Sequence, residues 1–454
     1  MESSSGKADH LVVLIHGLWG NPSHLEYLVN ALRKAFTEDQ LHILVPKSNS
    51  NNFTYDGIET GGERITHEIE DHIKKLEEKG STISKISMIG YSLGGLLARY
   101  AIGLLHSSGL FDRIQPVNFT TFATPHLGVR TPLTGTASRL WNVLGAHTLS
   151  TSGRQLFLID KFKDTGRPLL SVMADRNSIF IKGLSSFQHR TLYANILNDR
   201  SVVYYTAAID STDPYVDLSK VALNAIPGTE GILLDPSDPV GQKKQVKVPL
   251  LQRITDGAVY TVTSIPFFFF LTCLLPFGAT YFLANAGIQS FRSARRVELH
   301  DSGKAGISVE KYRKTPYLIE EMRNVADKVY RHAAASSGEE YLPTPPPEES
   351  EHHRLMGSIS NSSSTLVADE TAASKKPGQT EVHKHGHDEF PTLALTDEQF
   401  EMISALDEVG FTKYRVHISS VRHTHAAIIV RIPWRPGFGQ GKIVVNHWIE
   451  GFVI

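Results

Sequence analysis

The sequence predicts a protein of the α/β class, built on a mostly parallel sheet with helices on both faces. Short apolar runs alternate with amphipathic stretches through the N-terminal half of the 454 residues, and this alternation is typical of strands joined by crossover helices. A Gly-x-Ser-x-Gly motif lies between one apolar run and a helical stretch. An aspartate and several histidines follow it along the chain, in an order that suits nucleophilic catalysis on such a sheet.

The elements of this core are predicted from hydrophobic periodicity. Five short buried strands are expected at Val12–Ile15, Ile43–Val45, Ile86–Ile89, Asn118–Phe122 and Leu192–Leu197. Two helices are expected where apolar residues recur every three or four positions, from Leu25 to Phe36 and from Ile65 to Leu76. Together these elements place residues 9–217 in one α/β core.

Two stretches modify that core. Residues 127–190 lack an obvious strand and are expected to form a cap-like insertion over one edge of the sheet. Residues 393–454 return to ordered patterns after a long interruption and are expected to complete the same core. Their apolar runs predict strands at Tyr414–Ile418 and Ala426–Ile432, and a last helix or strand in Gly441–Ile454.

Composition excludes several classes of function. The 46 Lys and Arg residues nearly balance the 47 Asp and Glu residues, so the net charge of -1 offers no field that would attract nucleic acid. The single cysteine, Cys273, excludes an internal disulfide framework and a cysteine-rich zinc module. The polar N-terminus and the short apolar run after it do not resemble a signal peptide, so we expect an intracellular protein.

The strongest chemical signal is Gly90-Tyr91-Ser92-Leu93-Gly94-Gly95. It follows the predicted strand Ile86–Ile89 and opens a helical run. Gly-x-Ser-x-Gly at a strand-to-helix turn is the nucleophile elbow, in which a tight turn projects the serine out of the sheet. Glycines are needed on both sides because a Cβ there would collide with neighbouring backbone. Ser92 is the candidate nucleophile.

A second signal, His16-Gly17-Leu18-Trp19-Gly20, follows the first predicted strand. Lipases and esterases place an oxyanion-hole amide after an early strand in this way. The developing negative charge needs two backbone N–H groups already directed at it, and we assign these to Leu18 and Leu93. The Trp19 ring either packs against the core or lines an acyl site.

The acid of a catalytic triad is expected on a loop after a strand downstream of the nucleophile. Asp199, in Asn198-Asp199-Arg200, follows the strand Leu192–Leu197 and fits that position. Asp210, after the apolar run Tyr204–Ile209, is the alternative. The acid would hold the imidazole of the base in the correct tautomer.

The base is expected later in the sequence, in the returning C-terminal region. His425 lies on a predicted loop after the strand Tyr414–Ile418, where the base belongs. His447, in Val445-Asn446-His447-Trp448, is the main alternative. Such a triad requires no metal or organic cofactor.

The motifs at His16, Ser92 and Asp199, together with Phe122-Ala123-Thr124-Pro125-His126-Leu127-Gly128, resemble the putative serine esterase (lipase-like) family. The resemblance is closest to its fungal branch, which includes a lipid-droplet phospholipase and monoacylglycerol lipase relatives. It covers residues 9–217 well and residues 405–450 more loosely. It implies an α/β-hydrolase fold that cleaves glycerolipid esters, as a phospholipase or an acylglycerol lipase. His126 precedes the acid, so the resemblance implies a structural role for it.

Two insertions separate Asp199 from His425. Residues 258–291 contain the uncharged run Val259–Leu283, which has the length of a membrane segment. A single crossing would put Ser92 and His425 on opposite sides of a bilayer, so we expect a hairpin around Pro276 that dips into one leaflet or into a lipid-droplet surface. The arginines that follow it would meet anionic head groups: Arg292, Arg295 and Arg296.

The second insertion, residues 333–390, is of low complexity and is expected to be disordered. The sequence thus predicts a serine hydrolase acting on glycerolipid esters at a lipid-droplet surface or the cytosolic face of endomembranes. A thioesterase or transacylase would use the same residues. A membrane-bound lipid-binding scaffold with an inactive site is the remaining alternative.

Overall fold

The computed structural model describes residues 8–131, 142, 145–242, 280, 283–313, 315–318 and 390–454. Of the expected hairpin, residues 258–291, only residues 280 and 283–291 are described, and these are helical; the low-complexity insertion lies outside the described residues apart from residue 390. Both therefore stay predictions. Within the described ranges, no helix is both long enough and apolar enough to cross a membrane.

A six-stranded sheet forms the centre of the fold. Its strands are β1 (His10–Ile15), β2 (Leu41–Leu44), β3 (Lys85–Tyr91), β4 (Gln115–Phe122), β5 (His189–Asn195) and, after β6 (Val221–Leu223) and β7 (Val240–Gln242), β8 (Thr412–Val416). The spatial order is β2-β1-β3-β4-β5-β8 and all neighbours run parallel. The five early strands and the strand near residue 414 are thereby confirmed. β6 and β7 pair with each other as a separate antiparallel ribbon.

Helices cover both faces of the sheet. They are α1 (Glu26–Ala35), α2 (Ile58–Glu78), α3 (Leu93–Ser107), α4 (Ser150–Leu156), α5 (Leu169–Met173), α6 (Ile179–Ser185), α7 (Tyr204–Ala208), α8 (283–301), α9 (Glu310–Arg313), α10 (Asp397–Val409), α11 (Thr424–Ala427) and α12 (Gly439–Glu450). The two predicted helices correspond to α1 and α2. The last element, which the sequence left open between a helix and a strand, is the helix α12.

Side chains of β1 show how the sheet divides the core. Leu11, Val13 and Ile15 join the apolar cluster under α2 and α3, whereas Val12 and Leu14 join the cluster under α1 and α12. Successive strand residues point to opposite faces. Because both faces are covered, the strand reads as a continuous apolar run rather than an alternating one.

The segment expected as a cap-like insertion, residues 127–190, lies in the connection between β4 and β5, which are neighbours inside the sheet. Its helix α6 packs on α3. A Cβ on Gly103 of α3 would lie 2.3 Å from the Phe180 ring, which shows how closely the two helices approach.

The prediction of a strand at Ala426–Ile432 is wrong. Thr424–Ala427 form α11, and a turn follows. This segment is buried under α12, where a Cβ on Gly441 would come within 1.8 Å of the Ala427 carbonyl oxygen. A short apolar run does not distinguish a buried helix from a buried strand. The run Tyr204–Ile209 illustrates the same ambiguity, because it forms α7.

Candidate active site

Ser92 occupies the turn between β3 and α3. Its backbone has φ 56° and ψ -130°, a region that residues with a Cβ rarely adopt. Such a conformation costs roughly 1–3 kcal/mol and persists only where the surroundings fix it. Here the Ser92 N–H donates to the carbonyl of Phe122 at the end of β4, over 2.9 Å. The turn therefore belongs to the sheet and not only to its own loop.

Two glycines make the turn possible. A Cβ on Gly90 would lie 2.3 Å from the Gly95 Cα, and a Cβ on Gly94 would lie 2.1 Å from the carbonyl oxygen of Ile15. These distances are shorter than any real contact, so backbone would have to move for either substitution. The motif therefore has the steric cause that the sequence suggested.

The structure brings Ser92, His425 and Asp199 together. The His425 Nε2 lies 2.9 Å from the Ser92 Oγ, and the His425 Nδ1 lies 2.8 Å from the Asp199 Oδ2. His425 belongs to α11, which follows β8, and 15% of its side chain is exposed. An imidazole in this position is able to take a proton from the serine on one side while the carboxylate orients it from the other.

Asp199 is held as a carboxylate. Burial alone would raise its pKa, but the adjacent His425 and several hydrogen-bond donors together hold the pKa below its usual value. The donors are the Asn195 side-chain amide at 3.0 Å and the backbone N–H groups of Ser201 and Val202 at 3.0 and 2.9 Å. Because each donor favours the charged form, the acid stays ionised beside the imidazole.

Sequence reasoning missed three residues that hold this arrangement. The Thr424 hydroxyl donates to the Leu197 carbonyl over 2.7 Å and ties α11 to the loop of Asp199. The Tyr91 hydroxyl donates to the His425 carbonyl over 3.1 Å. Asn195 supports the carboxylate. Tyr91 and Thr424 adjoin triad positions and Asn195 ends β5, so sequence proximity was the available signal.

The predicted oxyanion loop lies against the nucleophile. A Cβ on Gly17 would lie 2.6 Å from the Ser92 Cβ, so the backbone that leads into Leu18 passes directly beside the serine. Leu93 opens α3, and the first N–H groups of a helix have no acceptor within it. Trp19 is 51% exposed and its ring faces Tyr55, so it flanks the site rather than filling the core.

The alternative acid and base lie elsewhere. Asp210 accepts hydrogen bonds from Tyr204 and Thr212 and lies 3.7 Å from the Arg415 guanidinium. His447, on α12, contacts the Tyr193 hydroxyl through its Nδ1 at 2.9 Å, and burial lowers its pKa. Neither contacts the Ser92–His425 pair.

His126 is fully buried. Its Nε2 lies 3.0 Å from the Thr121 hydroxyl and its carbonyl accepts from the buried Arg99. Burial lowers its pKa well below the usual value. A neutral, enclosed imidazole of this kind fits the structural role that the sequence suggested.

The comparisons with known proteins point to serine esterases and lipases. Residues 5–213 match the family model described as "Putative serine esterase (DUF676)". The chain is 33% identical over 244 residues to "Putative lipase ROG1" of Saccharomyces cerevisiae, covering 52% of this chain and 34% of that protein. It is 31% identical over 215 residues to "Putative lipase C4A8.10" of Schizosaccharomyces pombe, covering 46% and 27%. The chain thus spans about a third of the length of these relatives.

Among solved structures, a soluble variant of monoglyceride lipase from Saccharomyces cerevisiae is similar at 13% identity and a TM-score of 0.21. That likeness covers 32% of this chain and 45% of the lipase. The fold assignment therefore depends on the parallel sheet and the elbow rather than on this likeness. The chain has an α/β-hydrolase fold, and its residues 5–213 match the putative serine esterase family.

Proposed function

We propose that the protein is a serine hydrolase that cleaves carboxylic esters of glycerolipids at a lipid surface. The observation that carries the proposal is the continuous chain of contacts from the Ser92 Oγ through His425 to Asp199, at 2.9 and 2.8 Å. A strained serine beside an oriented imidazole is the arrangement that a nucleophile and its base need, and a purely structural serine would not require it. The match to a serine esterase family supports the same reaction.

The reaction proceeds in two halves. The Ser92 Oγ attacks the ester carbonyl carbon while His425 Nε2 takes the hydroxyl proton, and the carbonyl oxygen becomes an oxyanion facing the Leu18 and Leu93 amides. When the intermediate collapses, the C–O bond to the alcohol breaks and His425 returns the proton to that alcohol. Water then attacks the acyl-enzyme by the same route and releases the fatty acid. Asp199 stabilises the imidazolium in both halves.

A lipid substrate is supported by the surroundings of the site and by the relatives named lipases. The exposed Trp19 beside Tyr55 offers an apolar flank to an acyl chain. Phospholipids and acylglycerols both carry the ester that this mechanism needs.

Action at a lipid surface is supported by α8, which directly follows the uncharged run Val259–Leu283. Its outward face carries exposed Ile288 and Phe291 (74% exposed). Arg292 and Arg295 are exposed on the same helix, and mixed apolar and basic residues suit an anionic monolayer. The expected head-group contact of Arg296 is wrong, because its guanidinium binds the buried carboxylate of Asp56. We propose the lipid droplet or the cytosolic face of endomembranes as the location.

The reaction is tested with a fluorophosphonate probe and a lipid panel. Purified wild-type protein should be labelled, and it should release fatty acid from a phospholipid or an acylglycerol, with products identified by mass spectrometry. Ser92→Ala should lose both the label and turnover, by up to about 10⁶-fold. Acyl-CoA in the same panel separates ester hydrolysis from thioester hydrolysis. Turnover by Ser92→Ala within tenfold of wild type would overturn the proposal.

The lipid surface is tested by replacing residues 259–283 with a short Gly/Ser linker. Because burial of apolar area is worth about 25 cal/mol per Å², loss of this run should release the protein from sedimented droplets or vesicles. Hydrolysis of soluble p-nitrophenyl butyrate should persist, since no triad residue lies in the run. Full retention on lipid particles would exclude the anchor.

A further inference from the structure

Residues 51–56 lie between the oxyanion loop and α8. On the side of the oxyanion loop, the Trp19 N–H donates to the Thr54 hydroxyl over 3.0 Å. The Asn51 N–H donates to the Gly20 carbonyl over 2.7 Å. Trp19 itself has φ 54°, a left-handed conformation that residues with a Cβ rarely adopt. Such a conformation persists only when surrounding contacts fix it, and Thr54 supplies one of them.

On the other side, Arg296 of α8 fixes the same residues. Its Nη2 donates to the Asn52 carbonyl over 2.8 Å and to the Asp56 carboxylate over 2.7 Å. Its Nε lies 3.1 and 3.0 Å from the two Asp56 oxygens. The Phe53 ring lies beside both the Arg296 and Arg64 guanidiniums, each 5.1 Å from the ring centroid.

The Asp56 carboxylate makes this contact obligatory. Its side chain is 0% exposed, and a buried carboxylate is stable only where charged and polar partners surround it. Arg64 binds one of its oxygens at 2.8 Å, and Ser293 of α8 donates to the other at 2.7 Å. Two of its partners therefore come from α8, more than two hundred residues away in sequence.

Residues 51–56 have little structure of their own to fix their position. Asn51–Tyr55 form only a single 3-10 turn, and Asn51 itself has φ 56°. Their placement therefore depends on contacts with Arg296 on one side, with the oxyanion loop on the other, and with Ser152 of α4, whose hydroxyl donates to the Thr54 carbonyl over 2.6 Å. A shift of this turn would move Thr54 and with it the strained peptide at Trp19.

We propose that Arg296 is a positioning residue for the oxyanion loop, acting through Asp56, Asn52 and Thr54. It touches neither substrate nor triad. It fixes the turn that holds Trp19, and so sets where the Leu18 amide points when the oxyanion forms. This inference rests on the proposed function, because it concerns the transition state of that reaction.

The test compares four variants in the full chain with p-nitrophenyl butyrate as substrate. Arg296→Gln removes the contact to Asp56 and Asn52, and Thr54→Val removes the acceptor of the Trp19 N–H. Thr54→Ser keeps the hydroxyl and serves as its matched rescue. Lys311→Gln is the matched control. It removes the ion pair between Lys311 and Glu70 of α2, which lies away from residues 51–56.

Arg296→Gln and Thr54→Val should each lower kcat by about tenfold or more with KM unchanged, since loss of one oxyanion donor outright costs about 10²–10³-fold. Affinity for a trifluoromethyl ketone, which forms an oxyanion on Ser92, should fall by the same factor. Thr54→Ser and Lys311→Gln should match wild type. The double variant Arg296→Gln/Thr54→Val should be no slower than the slower single, because the two residues act in series.

If the losses of kcat in the two single variants multiply in the double variant, or if kcat is unchanged in Arg296→Gln, the inference is overturned. If Arg296→Gln does not fold, Arg296→Lys decides. The lysine keeps a positive charge beside Asp56 but lacks the guanidinium that also reaches the Asn52 carbonyl. A wild-type kcat in Arg296→Lys overturns the inference, and a lowered kcat with a wild-type melting temperature supports it. Ser92→Ala run in parallel distinguishes the two proposals: an active Ser92→Ala refutes the mechanism, whereas a dead one beside a fully active Arg296→Gln refutes only the role of Arg296.

Discussion

Two regions of the molecule are held together by opposite means. At the elbow, Ser92 is fixed by close backbone contacts, with glycines at positions where any Cβ would collide. Along residues 56–70, which lead into and run along α2, residues 283–318 are attached by polar and charged side chains. These contacts pair Asp56 with Arg296, Glu63 with His300 and Glu70 with Lys311.

The two regions differ in how far apart in sequence their contacting residues lie. The glycines that the elbow needs lie two residues from Ser92 in sequence, so a short motif reports it even though they pack against other strands. The α2 contacts join residues more than two hundred positions apart, and several of the groups are buried. Glu63 and His300, for example, meet at 2.7 Å with almost no exposure of either side chain. Disturbing the first region should therefore cost turnover, whereas disturbing the second should cost stability and, where Arg296 holds residues 51–56, a smaller part of turnover as well.

The largest expected effect separates His425 from His447. His425→Ala should lower kcat by up to about 10⁶-fold, because triad members fail as a unit. His447→Ala should leave turnover within tenfold, since this ring contacts Tyr193 and Tyr414 instead. Hydrolysis of p-nitrophenyl butyrate measures both, with thermal melting as the folding control. An active His425→Ala beside a dead His447→Ala would remove the base from α11.

The next effect separates the two aspartates. Asp199→Asn keeps the shape of the side chain but removes the charge that orients His425, and it should lower kcat by about 10⁴-fold. Asp210→Asn should leave kcat near wild type and lower stability by about 1–3 kcal/mol, because Arg415 loses its buried counter-charge. Kinetics and urea unfolding of both variants give the comparison. Equal losses of kcat would contradict the assignment of the acid.

Much of the elbow region was predictable because its causes are local. The strand that precedes Ser92 is a continuous apolar run, the glycines mark the close approaches, and Asp199 follows a strand end. His425 lies on the segment that follows β8, as the sequence suggested, although this segment forms a helix and not a loop before a strand. Its position depends on β8, which the apolar run predicted.

The α2 region was not predictable from the sequence. Arg296 stands among several arginines after an apolar run, and nothing in that run distinguishes the one that binds Asp56. Helix periodicity also misleads there, because α8 turns buried polar residues, Gln289, Ser293 and His300, toward the protein while Ile288 and Phe291 are exposed. Only the three-dimensional pairing with acids of distant sequence reveals the arrangement.

A third prediction concerns the stability of the α2 region. Asp56→Ala should lower the free energy of unfolding by about 3–5 kcal/mol, because it leaves two guanidiniums partly buried without their carboxylate. Asp71→Ala, which removes an exposed acid of α2 paired with Lys75, is the matched control and should leave stability near wild type, because exposed ion pairs contribute little. Urea unfolding measures both. Similar values for the two variants would show that the buried ion pairs do not hold α8.

The smallest effect comes from a buried carboxyl, Asp160, that forms no ion pair with any of the described residues. Burial raises the pKa of Asp160 from 3.8 to about 6; its Oδ2 accepts from the Leu169 N–H, and its Oδ1 has no hydrogen-bond partner among the described residues. Because the folded state binds this proton more tightly than the unfolded chain does, stability should fall as pH rises from about 4 through about 6, by at most about 3 kcal/mol. Asp160→Asn keeps an acceptor oxygen but does not titrate, so it should be more stable than wild type at pH 7.5 and equal to it near pH 4. Urea unfolding of both proteins at four pH values checks this; a difference that does not change with pH would mean that Asp160 ionises in the folded protein as it does in the unfolded chain.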